Sequence, residues 1–182
     1  MVTYRSFVQN LGAAPDVFVK TVESTSFNVL RNFHACIGLA GEVVELLDAD
    51  DSDNFMEELG DVAFYSQFFT NTLNWRNPEE LYSLELSRVY KYHSTMELIE
   101  EALVESHNLL DLHKKHFMYG QDFDFGLAHY HFERFYTIFL ELLTNLGYDI
   151  TEIQEVNTAK LNKRYKDGFS TQASIDRVDK NS

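Results

Sequence analysis

No stretch of this 182-residue chain alternates apolar and polar residues for long enough to make a strand, and only two prolines and eight glycines interrupt it. A chain patterned this way builds its core from helices packed through apolar stripes that recur every three or four residues. We therefore expect an all-α protein, a helical bundle. Its 45% hydrophobic and 14% aromatic content is enough to fill one domain. Helices are predicted over about 14–23, 26–49 and 53–74, the last ending before Trp75-Arg76-Asn77-Pro78. From Pro78 to about Phe117 the pattern is helical, with a break expected near Leu84 to His93. Gly120 and the alternating Asp and Phe around it predict a loop at Met118 to Asp124. A long helix follows from about Phe125 to Leu146, with Gly147 as its C-cap, and a last one from Thr151 to Tyr165. The tail from Lys166 is polar and expected to be extended.

Two of these helices carry carboxylates in pairs: Glu42-x-x-Glu45 and Glu58-x-x-Asp61. A three-residue step puts each pair on one helix face, so two antiparallel neighbours can aim four carboxylates at one point. Leu39, Val43, Leu46 and Leu47 surround the first pair, and Phe55, Leu59, Val62, Ala63 and Phe64 the second, so neither is expected on a plainly solvated surface. Crowded, partly buried carboxylates repel and lose hydration unless a proton or a cation neutralises them. A shell with no His or Cys suits hard, oxygen-preferring ions, Mg²⁺ or Mn²⁺. The motif alone says little in a chain with 29 acidic residues, since Glu97/Glu100 and Glu152/Glu155 repeat it. The combination says more: consecutive helices, a short acidic link at Asp48 to Asp53, and Gly38, Gly41 and Gly60 inside the helices. Glycine within a helix costs about 1 kcal/mol against alanine, so these three are expected where a backbone or a ligand comes close.

A formal charge of −14 argues against nucleic acid or an anionic membrane as the main partner, though not against a small anion that arrives with its cations. The single cysteine, Cys36, excludes an intramolecular disulfide and is expected to be a buried apolar residue. No segment reads as a signal peptide or a membrane span, which is simplest for a cytoplasmic protein.

A second constellation lies near the C-terminus. Asn157, Lys160 and Arg164 share one helical stripe, followed by Tyr165. Two cations and an amide donor suit a polyphosphate, Arg holding phosphate oxygens in bidentate fashion. Basic residues in a last turn also complement the helix dipole, and local sequence does not separate the two roles. Lys114 and Lys115 in the middle of the chain are a weaker case. His34, two turns before Glu42, could approach the site, though a core or surface histidine is the expected reading.

The chain also reads as an internal repeat. Glu42, Glu45 and Asp48 align with Glu105, Asn108 and Asp111 at an offset of 63 positions. Asp51, Glu58, Asp61 and Leu73 align with Asp124, His131, Arg134 and Leu146 at an offset of 73. The difference falls in one loop, as a duplication with a single insertion requires. Three of the four carboxylate positions in the second half are then Asn108, His131 and Arg134, and that half has lost its metal site.

At these residues the chain resembles the MazG-like all-α nucleoside triphosphate pyrophosphohydrolases, especially the phage and bacterial single-domain type. His34-Ala35-x-x-Gly38-Leu39-x-x-Glu42-x-x-Glu45 and Asn54-x-x-Glu57-Glu58-Leu59-Gly60-Asp61 are similar to the family's metal-binding hairpin. Lys114-Lys115-His116-x-x-Tyr119-Gly120-x-x-x-Asp124 is similar to the loop within it, and Asn157-x-x-Lys160-Leu161-x-x-Arg164-Tyr165, with Gly168-Phe169 and ending near Arg177, to its closing segment. The resemblance implies Mg²⁺-dependent cleavage of a nucleoside triphosphate to the monophosphate and pyrophosphate. It implies Glu42, Glu45, Glu58 and Asp61 as metal ligands and catalytic groups, and Asn157, Lys160, Arg164, Tyr165 and Lys115 on the substrate. Base pockets in such folds are made by helix residues, here such as Phe27, Asn28, Asn32 or Trp75, and no motif says which of them face the base. In the family one hairpin carries all these parts and works as a dimer. Here the acids stand in the first half and the loop and closing segment in the second. We therefore expect one domain over 1–182, a covalent pseudo-dimer: a segment 1–25, a metal-binding half at about 26–92, a degenerate half at about 93–166 and a tail 167–182. A homodimer of such chains is the other arrangement. Competing readings are a phosphoribosyl-ATP pyrophosphohydrolase, a non-catalytic helical assembly protein, and a di-iron carboxylate bundle; the last normally uses Glu-x-x-His, which is absent.

Overall fold

Serine and aspartate set where the helices begin. In a computed structural model that describes residues 15–75, 78–166 and 168–176, every described element is a helix or a turn, and no strand forms among them. The helices are α1 (Pro15–Ser24), α2 (Phe27–Asp48), α3 (Ser52–Thr72), α4 (Leu84–Tyr90), α5 (Thr95–Tyr119), α6 (Phe125–Leu146), α7 (Ile150–Arg164) and α8 (Thr171–Asp176), with a 3₁₀ turn at Pro78–Leu81. Side chains of Ser26, Asp51, Ser83, Ser94, Asp124 and Asp149 accept from the first-turn amides of α2 to α7 in order. Each satisfies a donor that the helix itself leaves unpaired. Glu97 completes a capping box with Ser94, which explains one of the two Glu-x-x-Glu steps without a ligand. Gly120 and Gly147 close α5 and α6 at φ 65° and 79°, in the left-handed region that glycine enters freely.

Two stretches differ from the sequence expectation. The break expected over Leu84 to His93 holds helix α4, and the chain instead leaves helical geometry at 82–83 and 91–94. Ser83 and Ser94 explain this, each starting a helix just after a gap. The tail expected to be extended contains the single turn and a half of α8, begun by Ser170, whose hydroxyl accepts from the Ala173 amide. The segment 1–14 and Arg177 lie outside the described residues.

Helix α2 packs along α3, and α5 along α6; α2 then lies against α5 to join the two pairs. The core runs continuously through both, from Leu39, Val43, Leu59 and Val62 to Leu98, Leu109, Phe135 and Phe139. Phe69 of α3 stacks on Phe132 of α6 with centroids 4.3 Å apart and planes 7° from parallel. Helix α7 covers α3, α4 covers α6, and α1 lies on α5. Cys36 is fully buried, and burial pushes its thiol well above the usual range, as expected of a small core residue. No described helix is long and apolar enough to cross a membrane.

Candidate metal centre and nucleotide cavity

The antiparallel packing of α2 on α3 brings three of the four predicted carboxylates together. Oxygens of Glu42, Glu58 and Asp61 all lie within 4.8 Å of one another. Glu58 is only 3% exposed, while Glu42 and Asp61 are half-buried. Glu45 is the exception: it is exposed and stands outside this triad, one turn further along α2 at the rim of the same cavity. The apolar residues around it predict burial, yet they face the core and leave the Glu45 side of the turn to solvent.

Helix α7 closes the acids from one side. Asn157 donates from Nδ2 to Asp61 Oδ1 at 2.7 Å, and Lys160 Nζ sits 2.6 Å from both Asp61 oxygens and 3.5 Å from a Glu57 oxygen. Lys160 therefore neutralises Asp61 directly, rather than standing apart for phosphate as its stripe with Arg164 predicts. Gly60 makes room for this contact, since a Cβ there would lie 2.9 Å from the Asn157 Cβ. Gly38 does the same for the Tyr65 ring, which lies flush against the α2 backbone and would overlap any Cβ. Two of the three helical glycines thus mark close approaches as expected; Gly41 faces open space.

The charge balance is incomplete. Burial pushes the Glu42 carboxyl up to about 8, with Asp61, Glu45 and a shared hydrogen bond to Glu58 adding to it. Glu58 is raised as well, again mainly by burial. Burial, with Glu42 and Asp61 nearby, also raises the Tyr65 phenol. Lys160 and Arg164 stand beside these acids, yet Glu45 and Glu57 add to the negative charge and the Glu42 and Glu58 carboxyls are still raised, so a proton or a divalent ion supplies the rest. An all-oxygen donor set fits a hard cation.

These acids form one end of a cavity of about 930 Å³ between α2, α3, α7 and α8. Arg164, Leu161 and Tyr165 of α7 line it beside the acids, and Phe169 and Ser174 cover it from the C-terminal segment. Tyr165 and Ser174 hold that segment through hydroxyls 2.8 Å apart. The other end is aromatic: Phe27, His34, Phe64, Tyr65 and Phe68, with Arg31. His34 is on this wall, edge-on to Tyr65 and Phe68, rather than in the core. Arg31, Tyr65 and Phe68 were not singled out from sequence, and Phe64 and Phe169 only as a neighbour of the second acid pair and as part of the closing segment. A signal was present for most of them. Glu58, Asp61, Tyr65 and Phe68 follow steps of three and four along α3, and Arg31, His34, Gly38 and Glu42 do so along α2, so each carboxylate stripe continues into the cavity wall.

Other expected site residues lie elsewhere. Lys115 projects from the last turns of α5 and pairs with Asp111 at 2.7 Å, beside Lys114 on the same acid, and is not part of the cavity wall. Asn32 is buried and donates to the Phe69 carbonyl and Thr72 hydroxyl, and Trp75 packs on Phe69 and His129. Of the residues considered for a base pocket, Phe27 alone lines the cavity; Asn28 is exposed outside it.

Glu105, Asn108, His131 and Arg134 also meet in space. Glu105 is buried, lies 2.8 Å from His131 Nδ1, pairs with Arg134 Nε and accepts from Asn108 at 3.2 Å. Arg134 donates onward to the Tyr90 hydroxyl of α4 at 2.7 Å. These hydrogen bonds hold the Glu105 carboxyl below its usual range in spite of burial. Glu42 thus holds its place by keeping a proton or taking a cation, whereas Glu105 has Arg134 and His131 as partners. Comparison with protein-family models, with curated proteins and with solved structures finds no match to this chain.

Proposed function

We propose that the chain is a Mg²⁺-dependent nucleoside triphosphate pyrophosphohydrolase, cleaving the α–β anhydride of a ribo- or deoxyribonucleotide to the monophosphate and pyrophosphate. One observation carries the reading. A carboxylate triad short of positive charge and an aromatic wall stand at opposite ends of one cavity, with Arg164 lining it beside the acids. That layout matches a nucleotide, which is a flat apolar ring at one end and a metal-binding polyphosphate at the other. The motif resemblance supports the same reading; we further propose that the activity is cytoplasmic and that Mn²⁺, which suits the same oxygen ligands, can substitute for Mg²⁺.

Glu42, Glu58 and Asp61 would hold the ion, with Glu45 at the rim as a further oxygen ligand. A divalent cation held there supplies neutralisation of the triphosphate and acidifies a water. One of these carboxylates, or Glu57 beside Glu58 and within reach of Lys160, would orient a water for in-line attack at the α-phosphorus and take up its proton. The bridging oxygen then departs with pyrophosphate, and Arg164 offsets the charge that accumulates on it. Lys160 and Asn157 hold Asp61 in place through its carboxylate oxygens, which is a positioning role. The aromatic wall excludes water from the base.

We further propose that the two helix pairs descend from a duplication, leaving one working site per chain. Helix ends support it. Asp51 and Asp124 cap α3 and α6 at equivalent positions. Asn74 and Gly147, also equivalent, have φ of 53° and 79°. Each is followed by the same bond: Trp75 amide to Thr70 carbonyl, and Tyr148 amide to Leu143 carbonyl, at 3.1 and 2.9 Å. In the second half Arg134 supplies the positive charge that the first half takes from a metal. A panel of nucleoside triphosphates incubated with Mg²⁺ should yield monophosphate and pyrophosphate from at least one member. Release of orthophosphate instead, or two equivalent catalytic sites per chain, overturns the assignment.

A further inference from the structure

The cavity's walls differ in what they discriminate. Helix α2 presents Phe27, Arg31 and His34 at one end and Glu42 at the other, and eleven residues at the helical rise separate Arg31 from Glu42 by about 16 Å along the axis. With phosphates at the acids, the base reaches toward Arg31. Phe27 and Phe68 offer ring faces, and aromatic faces stack any base with little preference. Selection must then come from a polar group on that wall. The Arg31 guanidinium lies over both rings, 5.0 Å from the Phe68 centroid and 5.8 Å from that of Phe27. A ring contact takes up none of the N–H donors, which are open to a ligand, and among the described residues no carboxylate pairs with Arg31.

Resting on the nucleotide reading for what fills the cavity, we propose that Arg31 selects the base, and that the preferred substrate is a 6-oxopurine nucleotide, guanine or hypoxanthine. A guanidinium only donates hydrogen bonds. Guanine and hypoxanthine present two adjacent acceptors, O6 and N7, which match its fork. Adenine places an amino donor where O6 would be, so its N7 has no second acceptor beside it. Arg31 therefore favours guanine and hypoxanthine over adenine; unpaired cytosine, whose adjacent O2 and N3 both accept, is the one other base that the same fork admits. Arg31 is set apart from the pyrophosphate end, where Lys160 and Arg164 already stand.

The test is calorimetric binding of dGMP and dAMP, with Mg²⁺, to wild type, Arg31→Ala and Arg31→Lys, with turnover of dGTP and dATP measured on the same samples. Arg31 is exposed, so neither variant disturbs the core. Wild type should bind dGMP about tenfold or more tighter than dAMP, and Arg31→Ala should lose that ratio by weakening dGMP alone. Arg31→Lys keeps the charge but not the fork, and should also lose most of the preference. Equal weakening of both nucleotides by Arg31→Ala with rescue by Lys means Arg31 serves phosphate charge, and overturns the inference. So does an unchanged ratio, an adenine preference, or no binding of either. Selective, Arg31-dependent binding of dGMP without turnover of any triphosphate leaves the base selection standing and removes the hydrolase.

Discussion

Glu42 links the metal centre to folding stability, and replacing it with Gln isolates the effect. In the folded chain its carboxyl titrates at about 8, against an ordinary value of 4.5. The folded state therefore keeps a proton that the unfolded chain has shed. Stability drawn from that proton is complete below 4.5, declines as pH rises and is lost once pH passes about 8. From about pH 6 upward some 2 units of this window remain, worth a ceiling of about 3 kcal/mol. Glu42 shares its proton with Glu58 and meets solvent at the cavity, which reduces the effect to about 1–2 kcal/mol. For a domain of this size that is a fall in Tm of about 3–6 °C between about pH 6 and about pH 9.

Thermal unfolding followed by circular dichroism in chelator and in Mg²⁺ reads this directly. Metal-free wild type should lose that increment relative to Glu42→Gln, whose amide cannot ionise. Mg²⁺ should remove the difference, because a cation then supplies the charge that the proton supplied. If metal-free wild type and Glu42→Gln follow parallel curves from pH 6 to pH 9, or if Mg²⁺ leaves the wild-type decline in place, the charge-deficient triad is wrong.

Other expectations follow from single contacts. Gly60→Ala should push Asn157 off Asp61 and reduce turnover well beyond its effect on folding, and Gly38→Ala, meeting the Tyr65 ring, should destabilise by about 1–3 kcal/mol in a denaturant titration. Glu105→Leu alone strands Arg134 and should cost about 3–5 kcal/mol, whereas the double change Glu105→Leu with Arg134→Leu should recover most of it in the same titration. His113 is fully buried among Phe33, Phe117 and Phe123, and burial lowers it to about 4 from 6.5. Its contribution is present above 6.5 and lost as pH falls toward about 4, a ceiling of about 3 kcal/mol, so His113→Phe should flatten the acid limb of the stability curve.

Much of the frame was legible in the residues because capping chemistry is local. Asp124 and Gly147 bound α6 where the pattern placed it, and Asp51 bounds α3 within one residue of expectation. The carboxylate stripes were legible too, since helical spacing alone puts Glu58 and Asp61 on one face. What a spacing leaves open is how far each helix is rotated toward its neighbour. That rotation buries Glu58 and leaves Glu45 exposed, although both belong to the same motif type. Lys160 shows the other limit. Its stripe with Arg164 was visible, but its pairing with Asp61 spans 99 positions and depends on α7 crossing α3 at Gly60. Short helix α4 was missed because its seven residues, about two turns, are too few to show a period; its mark is the pair of serines that flank it.

Pyrophosphate release from a Mg²⁺–nucleoside triphosphate by wild type and by Glu58→Gln tests the central claim most directly. Glu58 is the most buried member of the triad, and the amide keeps its shape while removing its charge. The account predicts pyrophosphate and monophosphate from wild type and a loss of at least about 10²-fold in Glu58→Gln, with an unchanged helical circular dichroism spectrum. Pyrophosphate release at the wild-type rate from the folded variant would contradict it.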